Sequence, residues 1–162
     1  MPATTDDGGL AAIRARRHPD CWACSPTSQN GLAVAFFAAA DGSVTGRFAC
    51  EGKYVGYPGC LHGGVTSALL DAAMTNCLMA RGKPGLTARL EVRYLQPVPI
   101  GATVQVRGWW LGGRGSLQML RADLRHDGVV LAEANGTFMT HTLAALPAAE
   151  GGDDEEDRDH HL

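Results

Sequence analysis

The chain has 162 residues, 45% hydrophobic and 19% charged, with a formal net charge of −3, which suits one globular domain with its own core and excludes a disordered or fibrous chain. Much of the acid sits in EGGDDEEDRD at 150–159, so neither nucleic acid nor an anionic membrane is expected as the main partner. No apolar run reaches the roughly 20 residues of a membrane helix, and MPATTDDGGL lacks an export pattern, so the expected location is the cytoplasm.

Residues 1–17 read as a short helix or loose arm, and 18–31 as a loop rich in Pro, Ser, Asn and Gly. That loop carries Cys21 and Cys24 as C-x-x-C, with His18 three residues earlier. Five cysteines, an odd number without an export signal, are expected to be reduced thiols. His18, Cys21 and Cys24 have the spacing of three zinc ligands, but no second C-x-x-C or H-x-x-H follows to close the site. The simpler reading is a loop staple of small apolar thiols, with no metal and no cofactor. Cys50, Cys60 and Cys77 lie in apolar surroundings and read as core residues.

The body starts at Leu32. LAVAFFAAADGSVTGRFAC is two β-prone runs, 32–39 and 43–50, around Asp41-Gly42, a pair that accepts the positive φ angles of a tight hairpin turn. A Gly- and Pro-rich connection leads to Val65–Ala80, apolar nearly all round, as in a helix wrapped on most sides. RGKPG stops it, and four strands follow at 85–97, 102–112, 116–126 and 129–141. In the first of these, Ala88, Leu90, Val92 and Tyr94 alternate with Thr87, Arg89, Glu91 and Arg93, the period of a sheet with one covered face. The expected class is α+β, with a single antiparallel sheet curled around one long central helix. The body spans 32–146, and the acidic tail, 147–162, is expected to be disordered.

At about 100° per residue, Gly64, Ser67, Asp71 and Thr75 share one stripe of the helix. Ser and Thr there can simply bond backbone groups. Asp71 lies two turns inside the helix, where capping gives no reason for a carboxylate, and a buried charge is costly unless paired or used. The glycines at the helix start let a ligand approach the unpaired amides of the first turn, where the helix dipole favours developing negative charge. Asp71 is roughly 10 Å along the axis from Gly64, too far for both to serve one carbonyl. Two helices packed antiparallel about a two-fold axis would bring the amides of one to Asp71 of the other, giving two shared sites per dimer.

GYPGCLHGGVTSALLDAAM at 56–74, followed by LTARLEVRYLQPVPIG at 86–101, resembles the hotdog-fold acyl-CoA thioesterases of the PaaI and THEM type over about 32–141. CWAC…NGL also resembles bacterial members. The resemblance implies the hotdog fold, a homodimer or dimer of dimers with shared active sites, and hydrolysis of an acyl-CoA substrate. Residue by residue, it implies Asp71 as general base or nucleophile, backbone amides at His62 and Gly63 as oxyanion donors, and Thr87 assisting the water or carboxylate. Gly64 and Ser67, beside them on the stripe, are taken as substrate-binding. The His62 imidazole is expected to fix the turn rather than act as the base. Some relatives carry a polar amide side chain where this chain has Gly56. Arg89, Arg93, Arg107 and Arg114 are candidates for the phosphates of coenzyme A, since guanidinium forks suit phosphate oxygens. The alternative function is a non-catalytic acyl-CoA-binding domain, against which the retained Asp71 argues.

Overall fold

The computed structural model describes residues 7–140; the tail at 147–162 lies outside the described residues. The elements are α1 (Asp7–Arg17), β1 (Phe36–Ala38), β2 (Val44–Ala49), a 3-10 turn (Gly52–Tyr54), α2 (Gly63–Ala80), β3 (Leu86–Tyr94), β4 (Thr103–Arg114), β5 (Leu117–His126) and β6 (Val129–Met139). The strands form one antiparallel sheet in the order β1-β2-β4-β5-β6-β3. This is the expected α+β arrangement.

The helix α2 lies on the sheet and touches every strand. Leu69, Leu70, Met74, Cys77, Leu78 and Met79 are fully buried, and burying an aliphatic side chain of this size contributes about 1.5–3 kcal/mol. Helix and sheet come close together at Gly108 of β4, where a Cβ would stand 2.7 Å from the Ala73 carbonyl. Lys83 N donates to Leu78 O and Gly82 N to Met79 O, closing the helix in a Schellman turn at the expected RGKPG stop.

The first strand is shorter than the expected 32–39. Ala33 takes φ +49, which breaks extended backbone, and the residues around it bond to the cysteine loop instead: Leu32 N donates to Trp22 O and Val34 N to Ala23 O. Leu10 and Cys24 belong to the same core as α2, so the segment before residue 32 packs as part of this body. The Asp41-Gly42 hairpin forms as a three-residue loop in which Gly42 alone takes positive φ, while Asp41 Oδ1 accepts from Ser43 N and Oγ.

Strand β3 is a sheet edge, paired only with β6. It stops at Tyr94, short of the expected residue 97, because Leu95 N and Gln96 N both turn to Leu131 O. Its pairing slips between Thr87 and Arg89, leaving Ala88 as a bulge. The slip corrects the simple alternation read from the sequence: Thr87 joins Leu90, Val92 and Tyr94 on the helix side of the strand.

Candidate active site

His62 caps α2. Its Nδ1 accepts from Gly64 N at 2.9 Å, so the ring carries its proton on Nε2 when neutral. The imidazole thus fixes the turn as expected, and Gly64 leaves room for it, since a Cβ there would press on the ring at 3.0 Å. The expectation that the His62 amide is an oxyanion donor is corrected: His62 N–H donates to Tyr54 O at 2.9 Å. Gly64 N is occupied by the imidazole, while Val65 N and Thr66 N donate to His62 O. Among the described residues, Gly63 N–H is the first-turn amide for which no acceptor is found. A groove of about 430 Å³ opens beside it, lined by Val55, Gly56, Tyr57, Cys60, Leu61 and His62. Gly56 packs on the backbone of His62, where a Cβ would stand 3.0 Å from its Cα, so a larger side chain there requires the turn to shift.

Two turns along α2, Asp71 is half-buried. Thr87 Oγ1 donates to its Oδ1 at 2.7 Å. Burial raises the Asp71 carboxyl above the ordinary aspartate range, and the Thr87 hydrogen bond pulls it part of the way back. Cys21 and His18 act on the same carboxylate with opposite signs, Cys21 raising and His18 lowering it. The N-terminal cluster is thus an electrostatic neighbour of Asp71. Within that cluster, hydrogen bonds from Cys24 and His18 hold the Cys21 thiol well below the usual cysteine range, while the Cys21 partner and burial push Cys24 up.

Ser67, expected to touch substrate, is tied within the chain. Tyr94 OH donates to Gly63 O at 3.0 Å, which leaves the Ser67 hydroxyl to donate to Tyr94 Oη. In the sequence Tyr94 is one of an alternating apolar set, and its place at the helix-side end of the strand leading from Thr87 is the signal that marks it. Three of the four candidate arginines are engaged: Arg89 with Glu91, Arg93 with Glu133, and Arg107 with Asp41. Among the described residues, Arg114 has no ion pair.

A helix whose first turn offers one free amide and whose middle carries a hydrogen-bonded, desolvated carboxylate is laid on a six-stranded antiparallel sheet, the hotdog arrangement. Residues 58–133 match the family model described as "Thioesterase superfamily". The chain is 26% identical over 110 residues to human acyl-coenzyme A thioesterase 13, covering 67% of this chain and 79% of the relative. Among solved structures, it is similar to a thioesterase superfamily protein at 31% identity and TM-score 0.69, covering 72% of this chain and 58% of that one. Zebrafish thioesterase superfamily member 2 matches at 26% identity and TM-score 0.66, over 81% of this chain and 94% of that one.

Proposed function

We propose that the protein is a cytoplasmic acyl-CoA thioesterase in which Asp71 is the general base, Thr87 orients it, and Gly63 N–H stabilises the oxyanion. The observation that carries this reading is the Thr87 Oγ1 to Asp71 Oδ1 bond of 2.7 Å. It holds one carboxylate oxygen and leaves Oδ2 to take a proton from water. The water oxygen attacks the thioester carbonyl carbon, and the oxygen that becomes negative accepts from Gly63 N–H, a kind of contact worth about 10²–10³ in turnover. The carbon–sulfur bond then breaks and the departing thiolate takes from Asp71 the proton that came from water. Burial suits this task, since it makes the carboxylate more basic.

Gly63 and Asp71 lie eight residues apart on one continuous helix, about 12 Å of axial rise. A single chain therefore does not bring both to one carbonyl, and the reading includes a homodimer. The nine-residue edge strand β3 supports it: an unpaired edge is a template for a second copy. Two β3 edges paired about a two-fold axis would set the α2 helices side by side and antiparallel, with Gly63 of each toward Asp71 of the other. Neither nucleic acid nor membrane enters this function; no described helix is long and apolar enough to cross a bilayer.

The test is release of free thiol from a panel of short, long and aromatic acyl-CoAs by the wild-type protein and by Asp71→Asn. Turnover of at least one class that depends on Asp71 is expected. Equal rates in the two proteins would remove the carboxylate from the reaction.

A further inference from the structure

The segment before β1 holds a second cluster of ligating side chains that thioester hydrolysis does not use. One ligand atom each from His18, Cys21 and Cys24 lie within 4.8 Å of one another, and His18 Nδ1 is 3.9 Å from Cys24 Sγ. Around a tetrahedral zinc ion, with nitrogen at about 2.0 Å and sulfur at about 2.3 Å, ligand atoms stand roughly 3.5–4 Å apart. The three atoms thus need only small rotations to share one ion.

The loop that presents them is built in advance. Cys21 N donates to His18 O, Ser25 N to Cys21 O and Ser25 Oγ to Pro19 O, while Leu32 N and Val34 N bind the carbonyls of Trp22 and Ala23 between the two cysteines. A buried polar side chain of α2 adjoins the cluster. The Asn76 side chain of α2 lies beside the Cys24 thiol. Asn76 is wholly buried, its Nδ2 donates to Ala72 O at 2.8 Å, and its Oδ1 has no partner. An orphaned buried acceptor costs about 1–3 kcal/mol, and a water on a metal beside it would satisfy it.

We propose that His18, Cys21 and Cys24 bind one zinc(II) ion, with water as the fourth ligand donating to Asn76 Oδ1. Two thiolates and an imidazole suit zinc and do not suit magnesium or calcium. Binding replaces two thiol protons, which pass to solvent, by two zinc–sulfur bonds. The ion clamps the N-terminal segment onto α2 beside Asp71. The loop spacing offers three protein ligands and no fourth; in this proposal a water that donates to the unpaired Asn76 Oδ1 takes the fourth place.

The full chain, stripped with a chelator under reducing conditions, is titrated with cobalt(II) and then with zinc(II). One equivalent of cobalt should give a thiolate-to-metal charge-transfer band and the intense visible bands of a tetrahedral site, and zinc should abolish both. Cys21→Ser and His18→Ala, at half-buried positions, should each weaken cobalt binding by more than about tenfold with unchanged circular dichroism, while Asp71→Asn leaves it intact. If one of the two variants does not fold, the other carries the comparison. Cobalt bound without a thiolate band, as by His160 and His161 of the tail, would overturn the proposal. So would unchanged affinity in a folded variant, or no binding by the reduced protein.

Discussion

Thr87 on β3 and Asp71 on α2 are joined by a hydrogen bond of 2.7 Å, and the bulge at Ala88 is what turns Thr87 toward the helix. Thr87→Val keeps the shape and removes the donor. Turnover should fall roughly tenfold, the scale of one charge-assisted hydrogen bond, whereas Thr87→Ser should keep most of it. Steady-state rates on one acyl-CoA compare the three, and wild-type turnover in Thr87→Val would sever Thr87 from the chemistry.

The same pair sets the acid side of the pH profile. Asp71 must be ionised to act as a base, so kcat/KM should fall as pH drops through its folded value, which burial places above the ordinary aspartate value of about 3.9. The Thr87 bond favours the charged form, so Thr87→Val should move this limb to still higher pH. A limb that stays put in Thr87→Val would mean that some other group titrates.

Asp71→Asn separates function from stability. A carboxyl whose folded value is raised weakens folding when ionised: the effect is absent below its unfolded value, grows as pH rises through the interval, and is complete above the folded value. At neutral pH the variant should therefore lose about 10²–10⁴ in turnover while melting at or above the wild-type temperature. A lower melting point would point to a structural role for Asp71.

Tyr94→Phe removes the hydroxyl that bonds Gly63 O and Ser67 Oγ. The start of α2 loses a strut, and kcat/KM should fall about two- to tenfold, the range of one net hydrogen bond. Unchanged kinetics in Tyr94→Phe would make the contact incidental.

The long helix and the four-strand meander were legible because their signals are local and repeated: an apolar run of helical length closed by RGKPG, and runs of period two closed by turns. Features that depend on one backbone partner were not. The left-handed Ala33 shortened β1, and one slip in register moved Thr87 to the helix side. The Tyr54 carbonyl accepts the His62 amide, which the family resemblance implies as an oxyanion donor. The stripe through Ser67 and Asp71 was visible from helical spacing, but the partner of each arrives from β3, far along the chain. His18, Cys21 and Cys24 were legible as a spacing; that they converge next to an unsatisfied Asn76 is a property of packing.

The shared site is the central claim, and subunit complementation tests it most directly. Gly63 stands at the first position of α2, after His62 with φ −59 and ψ 131, backbone compatible with a following proline. Proline is tolerated at a first helical position, so Gly63→Pro removes the amide hydrogen with little disturbance. Asp71→Ala and Gly63→Pro proteins are each expected to be nearly inactive. Refolded together in equal amounts and paired at random, half of the dimers are mixed, and each mixed dimer holds one site with both groups intact. The account predicts recovery of about a quarter of wild-type activity; no recovery in a mixed dimer verified by size-exclusion and mass spectrometry would place both groups in the same chain's site and contradict it.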